Sequence, residues 1–243
     1  MSEQGHAKNL ELFKKEHHFA VSWGAKYAPT NELLALNAML AQITAGENIL
    51  SEIIASRTPY RNATAAAQDA FERLGPLMPR IINAMKGAGI EASVIEDTKT
   101  YTRKISGQRK TKKPKDDPNS PDFDESEKAN SAAQMSRANR IENFEAVISA
   151  LEAQAAYKPN EDDLKIITLR EFLTELRQKN EAVQDTFITL SNKRAERDAL
   201  FYTPGTGIVA VGNLFKRYVE SFGRNSAEWK QIKDFEFVRI GRR

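Results

Sequence analysis

The side chains that could do chemistry are few and poorly clustered. The chain has no cysteine, which removes thiolate nucleophiles, soft-metal sites and disulfides and fits a reducing compartment. Its three histidines are His6, His17 and His18. A metal site needs further ligands at helical spacing, and the Glu-x-x-His pair of carboxylate bundles is missing. His17, beside Glu16 on a helical stripe, therefore reads as a half-buried structural residue. Gly-x-x-x-x-Gly-Lys-Ser/Thr, His-Glu-x-x-His and Gly-x-Ser-x-Gly are all absent. The run Thr203-Pro204-Gly205-Thr206-Gly207 resembles an anion-binding nest, but no strand precedes it and no Lys-Ser follows, so it reads as a helix-to-helix turn. No catalytic, metal-ligating or cofactor-binding residue is assigned.

Two basic segments are the most suggestive polar feature. One carries Tyr101, Arg103, Lys104, Gly107 and Arg109; the other carries Phe235, Arg239, Gly241, Arg242 and Arg243. Arginine and lysine beside aromatics can hold single-stranded nucleic acid through phosphate contact and stacking. Arg103, Lys104, Arg109, Arg239, Arg242 and Arg243 are accordingly the candidate nucleic-acid or anion contacts. The plainer reading makes each aromatic a core residue and each cation a solvated edge, and it is the one favoured. The net charge is only +3. The basic run from Arg109 to Lys115 is followed at once by Asp116, Asp117, Asp122, Asp124, Glu125 and Glu127, which neutralise it.

The elements that must position these groups appear twice. Tyr27-Ala28-Pro29 is echoed by Tyr157-Lys158-Pro159, each followed by a polar residue and then Leu34 or Leu164. The ladder Leu36, Leu40, Ile43, Leu50, Ile54 aligns with Leu169, Leu173, Leu176, Val183, Phe187. Leu74, Leu77, Ile81, Met85 and Gly89 align with Ile208, Val211, Phe215, Val219 and Gly223. Lys99, Tyr101, Gly107 and Arg109 align with Lys233, Phe235, Gly241 and Arg243. The offset stays between about 130 and 134 residues throughout, so an internal duplication is expected.

The dominant period is helical. Ile141, Phe144, Ile148, Leu151 and Ala155 step by three and four, with Leu10, Phe13, His17 and Ala20 as the weaker counterpart. Leu40, Ile43, Leu173, Leu176 and Phe187 are expected in the core of two long helices. Thr30 and Asn160 are the expected caps, with Pro29 and Pro159 stapling onto Leu34 and Leu164. Pro59 should kink or end the first long helix; the second should run unbroken to about Tyr202. Glu47 and Asn180 fall on one rung and read as register-fixing or solvent-turned polar residues. A short helix is expected near Ala227 to Lys233. The alternation in Tyr101 to Ile105 and in Phe235 to Arg239 admits a short strand at the close of each copy.

A chain of 243 residues gives each copy enough length for its own core. The expected division is residues 1–109, a disordered charged linker at 110–136 holding three prolines, and residues 137–243. No apolar run is long enough to span a bilayer and no signal peptide is visible, so a cytoplasmic setting is expected.

The strings Asn139-Arg140-Ile141-Glu142-Asn143-Phe144, Tyr157-Lys158-Pro159-Asn160-Glu161 and Leu190-Ser191-Asn192-Lys193-Arg194, with Arg103 to Arg109 in the form Arg-Lys-Ile-x-Gly-x-Arg, resemble a family of all-helical bacterial proteins whose activity is uncharacterised. The resemblance spans both copies and implies a bacterial origin without a mechanism. The reading is thus all-α: two homologous bundles of three to four helices, related by duplication and an approximate two-fold axis. The expected function is a non-enzymatic scaffold or protein-interaction protein with a protein partner and no cofactor. A nucleic-acid-associated protein and a small-ligand binder between the bundles are the alternatives.

Overall fold

The computed structural model describes residues 4–107 and 136–239. The expected linker lies outside them, apart from Ser136, and so do Arg109, Arg242 and Arg243. The chain is all-helical, and no strand occurs among the described residues. In order the helices are α1 (Gln4–Ser22), α2 (Leu36–Glu72), α3 (Leu74–Gly87), α4 (Ala92–Ser106), α5 (Arg137–Glu152), α6 (Ile166–Tyr202), α7 (Ile208–Glu220) and α8 (Ala227–Ile232). Single 3-10 turns, Glu32–Leu34 and Asp162–Leu164, lead into α2 and α6.

The chain forms two compact units. The first contains Met1–Tyr60 and Thr186–Arg243; the second is Arg61–Asp185. These units are composed differently from the consecutive division into 1–109 and 137–243. The first joins α1 and the start of α2 to the end of α6, α7 and α8. The second joins the end of α2, α3 and α4 to α5 and the start of α6. Periodicity reports which residues of a helix are buried but not which helix buries them, and the exchange is invisible to it.

The first core is built on Leu10, Phe13, Ala20, Met39, Ile43 and Ile53 with Phe201, Ile208, Val211, Phe215 and Val219. The second is built on Leu74, Met78, Ile81, Met85 and Ile105 with Phe144, Val147, Ile148, Leu169, Leu173 and Leu176. Apolar burial of this kind contributes roughly 1.5–3 kcal/mol per large side chain before entropy is counted. Tyr27 ties its own loop shut by donating its hydroxyl to Leu34 O at 2.7 Å, and Tyr157 does the same to Leu164 O at 3.0 Å.

Several local expectations change. Leu40 is 51% and Phe187 49% exposed, and Leu36 and Ile54 also face solvent, whereas Ile43, Leu173 and Leu176 are buried. The true stripe on α2 runs through Met39, Ile43, Ile49 and Ile53. The helices α2 and α6 begin and end at an offset of 130, three residues short of the 133 that relates the two ladders. A slip of three lands one helical stripe almost on itself.

Pro59 neither ends nor interrupts α2, which continues through it to Glu72. The proline is exposed, so its ring meets no packed neighbour there. Asn31, not Thr30, caps the first turn by accepting from Leu33 N, while the second turn has no side-chain cap. The expected strand at 101–105 is part of α4, whose buried residues Ile95, Thr98, Thr102 and Ile105 step by three and four. Residues 235–239 belong to neither a helix nor a strand. The long α6 does run to Tyr202, and α8 falls where a short helix was expected. Glu47 turns to solvent and pairs with Lys14.

If each unit needs both halves of the chain, residues 1–107 and 136–243 co-expressed as separate chains should copurify as a one-to-one complex. Either half alone should be aggregated or unfolded. Affinity capture through a tag on one half checks this; two independently folded monomers would contradict it. Leu173→Ala should cost about 2–5 kcal/mol in a denaturant titration. Leu40→Ala should stay within about 0.5 kcal/mol of the parent.

Candidate functional site

The described residue with the least explained chemistry is Glu16. It lies on α1, one turn after Phe13, on the face that packs against α7. It is fully buried, at 0% exposure, and neither carboxylate oxygen has a hydrogen-bond partner. Burial pushes its carboxyl up to about 9, against which the nearby Lys216 ammonium acts weakly. An ionised carboxylate in that position would be expensive, so Glu16 is neutral at pH 7.

Around it the first unit is unusually aromatic. The Trp23 ring stacks on Phe215 at 5.9 Å between centroids, and Tyr27 meets Phe215 at 5.6 Å and Tyr218 at 5.4 Å. Burial also raises the Tyr27 hydroxyl above its ordinary range. His17 is 8% exposed, and burial holds its imidazole below the usual histidine value. His6 Nδ1 lies 2.9 Å from the Tyr202 hydroxyl. Among the described residues no three His, Cys, Asp or Glu side chains gather as a metal site.

Above this layer runs the segment after α8. Its backbone is held by side chains rather than by a ladder. Lys216 Nζ donates to Lys233 O at 3.0 Å and to Phe235 O at 2.6 Å. Asn9, itself fully buried, grips Val238 from both sides: its Nδ2 donates to Val238 O at 2.8 Å, and its Oδ1 accepts from Val238 N at 3.1 Å. That reciprocal pair reproduces what a neighbouring β-strand would offer. The Phe237 ring lies over Gly212, where a Cβ would come within 2.5 Å of it. Phe235 rests near Phe19, with ring centroids 6.2 Å apart. The sequence signal for this seat was the alternation in Phe235 to Val238, read there as a strand. Asn9 and Gly212 carried no signal of their own.

The second unit has a different polar feature. A cleft of about 250 Å3 is lined by Arg73, Arg80, Asp163, Thr168, Leu169 and Phe172 among others. Arg80 pairs with Asp163 through both guanidinium nitrogens. Arg73 donates to both oxygens of Glu175 at 3.0 and 2.9 Å and stacks on Phe172 at 4.3 Å. Both pairs are largely exposed and act as clasps between helices.

The described basic candidates are divided between the two units. Arg103 and Lys104 are on α4 in the second unit, where Arg103 lies 3.6 Å from Glu96 and Lys104 sits 5.7 Å over the Tyr101 ring. Arg239 is exposed at the end of the extended segment in the first unit. No helix among the described residues is long and apolar enough to cross a membrane.

Glu16 gives a pH test with a definite sign. The folded protein keeps the proton well above pH 4.5 and the unfolded chain does not, so stability falls as pH rises from about 4.5 to about 9. The slope from this one group reaches at most about 1.4 kcal/mol per pH unit. Glu16→Gln should flatten that part of the stability profile and raise the melting temperature at pH 8. Denaturant titrations of parent and variant across this range check it; superimposable profiles would contradict it.

Comparison with known protein families, with curated proteins and with solved structures finds no match for this chain in any of the three.

Proposed function

We propose that the chain is a non-enzymatic helical scaffold that acts through protein contact, and that it arose by internal duplication with halves of the two copies exchanged between the compact units. The duplication is supported by paired details. Both long helices span 37 residues, each preceded by a 3-10 turn and a tyrosine that bonds the carbonyl seven residues on. Lys14 pairs with Glu47 between α1 and α2. At the matching positions Glu145 pairs with Arg177 at 2.7 Å, the same bridge with its charges reversed. The α3 residues Leu74, Leu77, Ile81 and Met85 and the α7 residues Ile208, Val211, Phe215 and Val219 are all buried at an offset of 134. The bacterial, cytoplasmic setting belongs to the same proposal.

The observation that carries the contact function is an apolar surface on the first unit. Ile54, Phe187 and Ile188 are 64%, 49% and 54% exposed. They are the chain neighbours of Ala55, Thr186 and Thr189, which with Ser56 and Pro59 line a cleft of about 320 Å3. The middle of a long helix is a costly place to leave Phe and Ile in water, and such a cluster is typical of a protein-contact surface. Phe187→Glu and Ile188→Glu should leave folding within about 0.5 kcal/mol of the parent, because both sites are exposed. Tagged parent protein should retain a stoichiometric protein partner from its native extract, and the double variant should lose it at least tenfold. Equal recovery by both would remove this reading. A salt-sensitive nucleic-acid shift abolished by Arg103→Glu and Arg239→Glu would support the nucleic-acid alternative instead.

A further inference from the structure

The groove between α1 and α7 is built differently from its counterpart in the second unit, and the differences converge on one segment. At the offsets relating α1 to α5 and α3 to α7, Glu16 matches Val147, Lys216 matches Ile82 and Gly212 matches Met78. All three counterparts are buried apolar residues. In the second unit that place is an ordinary core closed by the full helix α4, which packs on α5 and α3. In the first unit the closure is a six-residue helix and then a strap without regular secondary structure.

Two of these departures, Gly212 and Lys216, touch the strap, and Asn9 of α1 joins them. Gly212 removes the side chain that would collide with Phe237. Lys216 supplies the ammonium that takes the Phe235 carbonyl and, at the end of α8, that of Lys233. Asn9 reads the N–H and C=O of Val238. These contacts address backbone and ring shape, which is how extended peptides are recognised: main-chain bonds give affinity and alternate side-chain seats give selectivity. The strap is also easy to lift. Phe235 and Phe237 are only half-buried, Val238 is 50% exposed and Glu236 and Arg239 face solvent. Beneath it, the neutral Glu16 would gain water on opening and could then draw the Lys216 ammonium away from the strap carbonyls.

We infer that the α1–α7 groove is a recognition site for an extended protein segment of the pattern aromatic–any–aromatic–aliphatic, occupied in cis by Phe235-Glu236-Phe237-Val238 until such a segment displaces it. This surface is separate from the one around Phe187, so either can fail alone. A tethered occupant competes at an effective concentration in the millimolar range, so the intact chain masks the site.

The test uses a fluorescent synthetic peptide with the sequence of residues 232–240 and the full-length protein. Phe237→Ser with Val238→Pro weakens the strap without altering the groove, because proline lacks the N–H that Asn9 accepts. This double variant should bind the peptide saturably and at least tenfold more tightly than the parent. Adding Asn9→Ala or Gly212→Leu to that background should abolish the gain. Should the double variant fold poorly by circular dichroism, amide exchange on the parent decides. Excess peptide should accelerate exchange of the chain's own Val238 amide while leaving α7 unchanged. No peptide binding by the folded double variant, or a gain that survives both added substitutions, overturns the proposal. So does a Val238 amide as protected as the α7 core and unmoved by peptide.

Discussion

Everything in the first unit depends on one close approach. At Gly46 on α2 a Cβ would lie 2.7 Å from Leu10 of α1 and 3.3 Å from Ile208 of α7. Three helices from the beginning, the first third and the last fifth of the chain converge there, and a glycine lets them come that near. Once they meet, Phe13, Met39, Ile43, Phe215 and Val219 lose their water together, and the apolar term dominates the unit's stability. The N-terminal helix is held by this packing far more than by its own propensity, because most helical stability in a folded protein comes from burying an apolar face.

Against that apolar background the buried Glu16 stands out as a cost. A well-packed apolar residue, such as the buried Val147 in the second core, is commonly a neutral or stabilising replacement for a buried ionisable group. Retaining a carboxyl with no hydrogen-bond partner therefore sets aside stability at one place in the fold. That place is also where the closure changes from a helix to an extended strap pinned by Asn9 and Lys216. Local weakness of this kind is characteristic of elements that open or exchange.

The second unit solves the same geometry with charge at the rim. Arg80 with Asp163 and Arg73 with Glu175 join segments distant in sequence, and Arg170 with Glu152 joins the consecutive helices α6 and α5. Their exposure makes them modest contributors to stability, and their planar, two-point geometry fixes which turn faces which. Arg140 goes further inward, donating to Phe71 O at 2.7 Å while its guanidinium lies 5.3 Å from the Phe71 ring centre. Where Asn9 in the first unit reads an extended strap, Arg140 in the second caps the end of a long helix.

Much of the local structure was legible in the amino-acid sequence because it rests on short-range physics. The helical stripe of α5, the unbroken run of α6 to Tyr202, the glycine-limited ends of α3 and α7 and the twin Tyr-x-Pro starts all follow from spacing, capping and backbone restriction within a few residues. The same physics explains the errors. One stripe of period 3.6 aligns with another almost equally well at offsets of 130 and 133, so the spacing puts Leu40 and Phe187 inside when Met39 and Ile53 are the buried positions. Five alternating residues cannot separate a strand from a helix, and α4 and the strap went opposite ways from similar patterns. Which half of the chain each helix packs against was decided only by tertiary structure. Both halves of the chain carry compatible apolar faces, and only three-dimensional shape, such as the room left at Gly46 and Gly212, selects the partner.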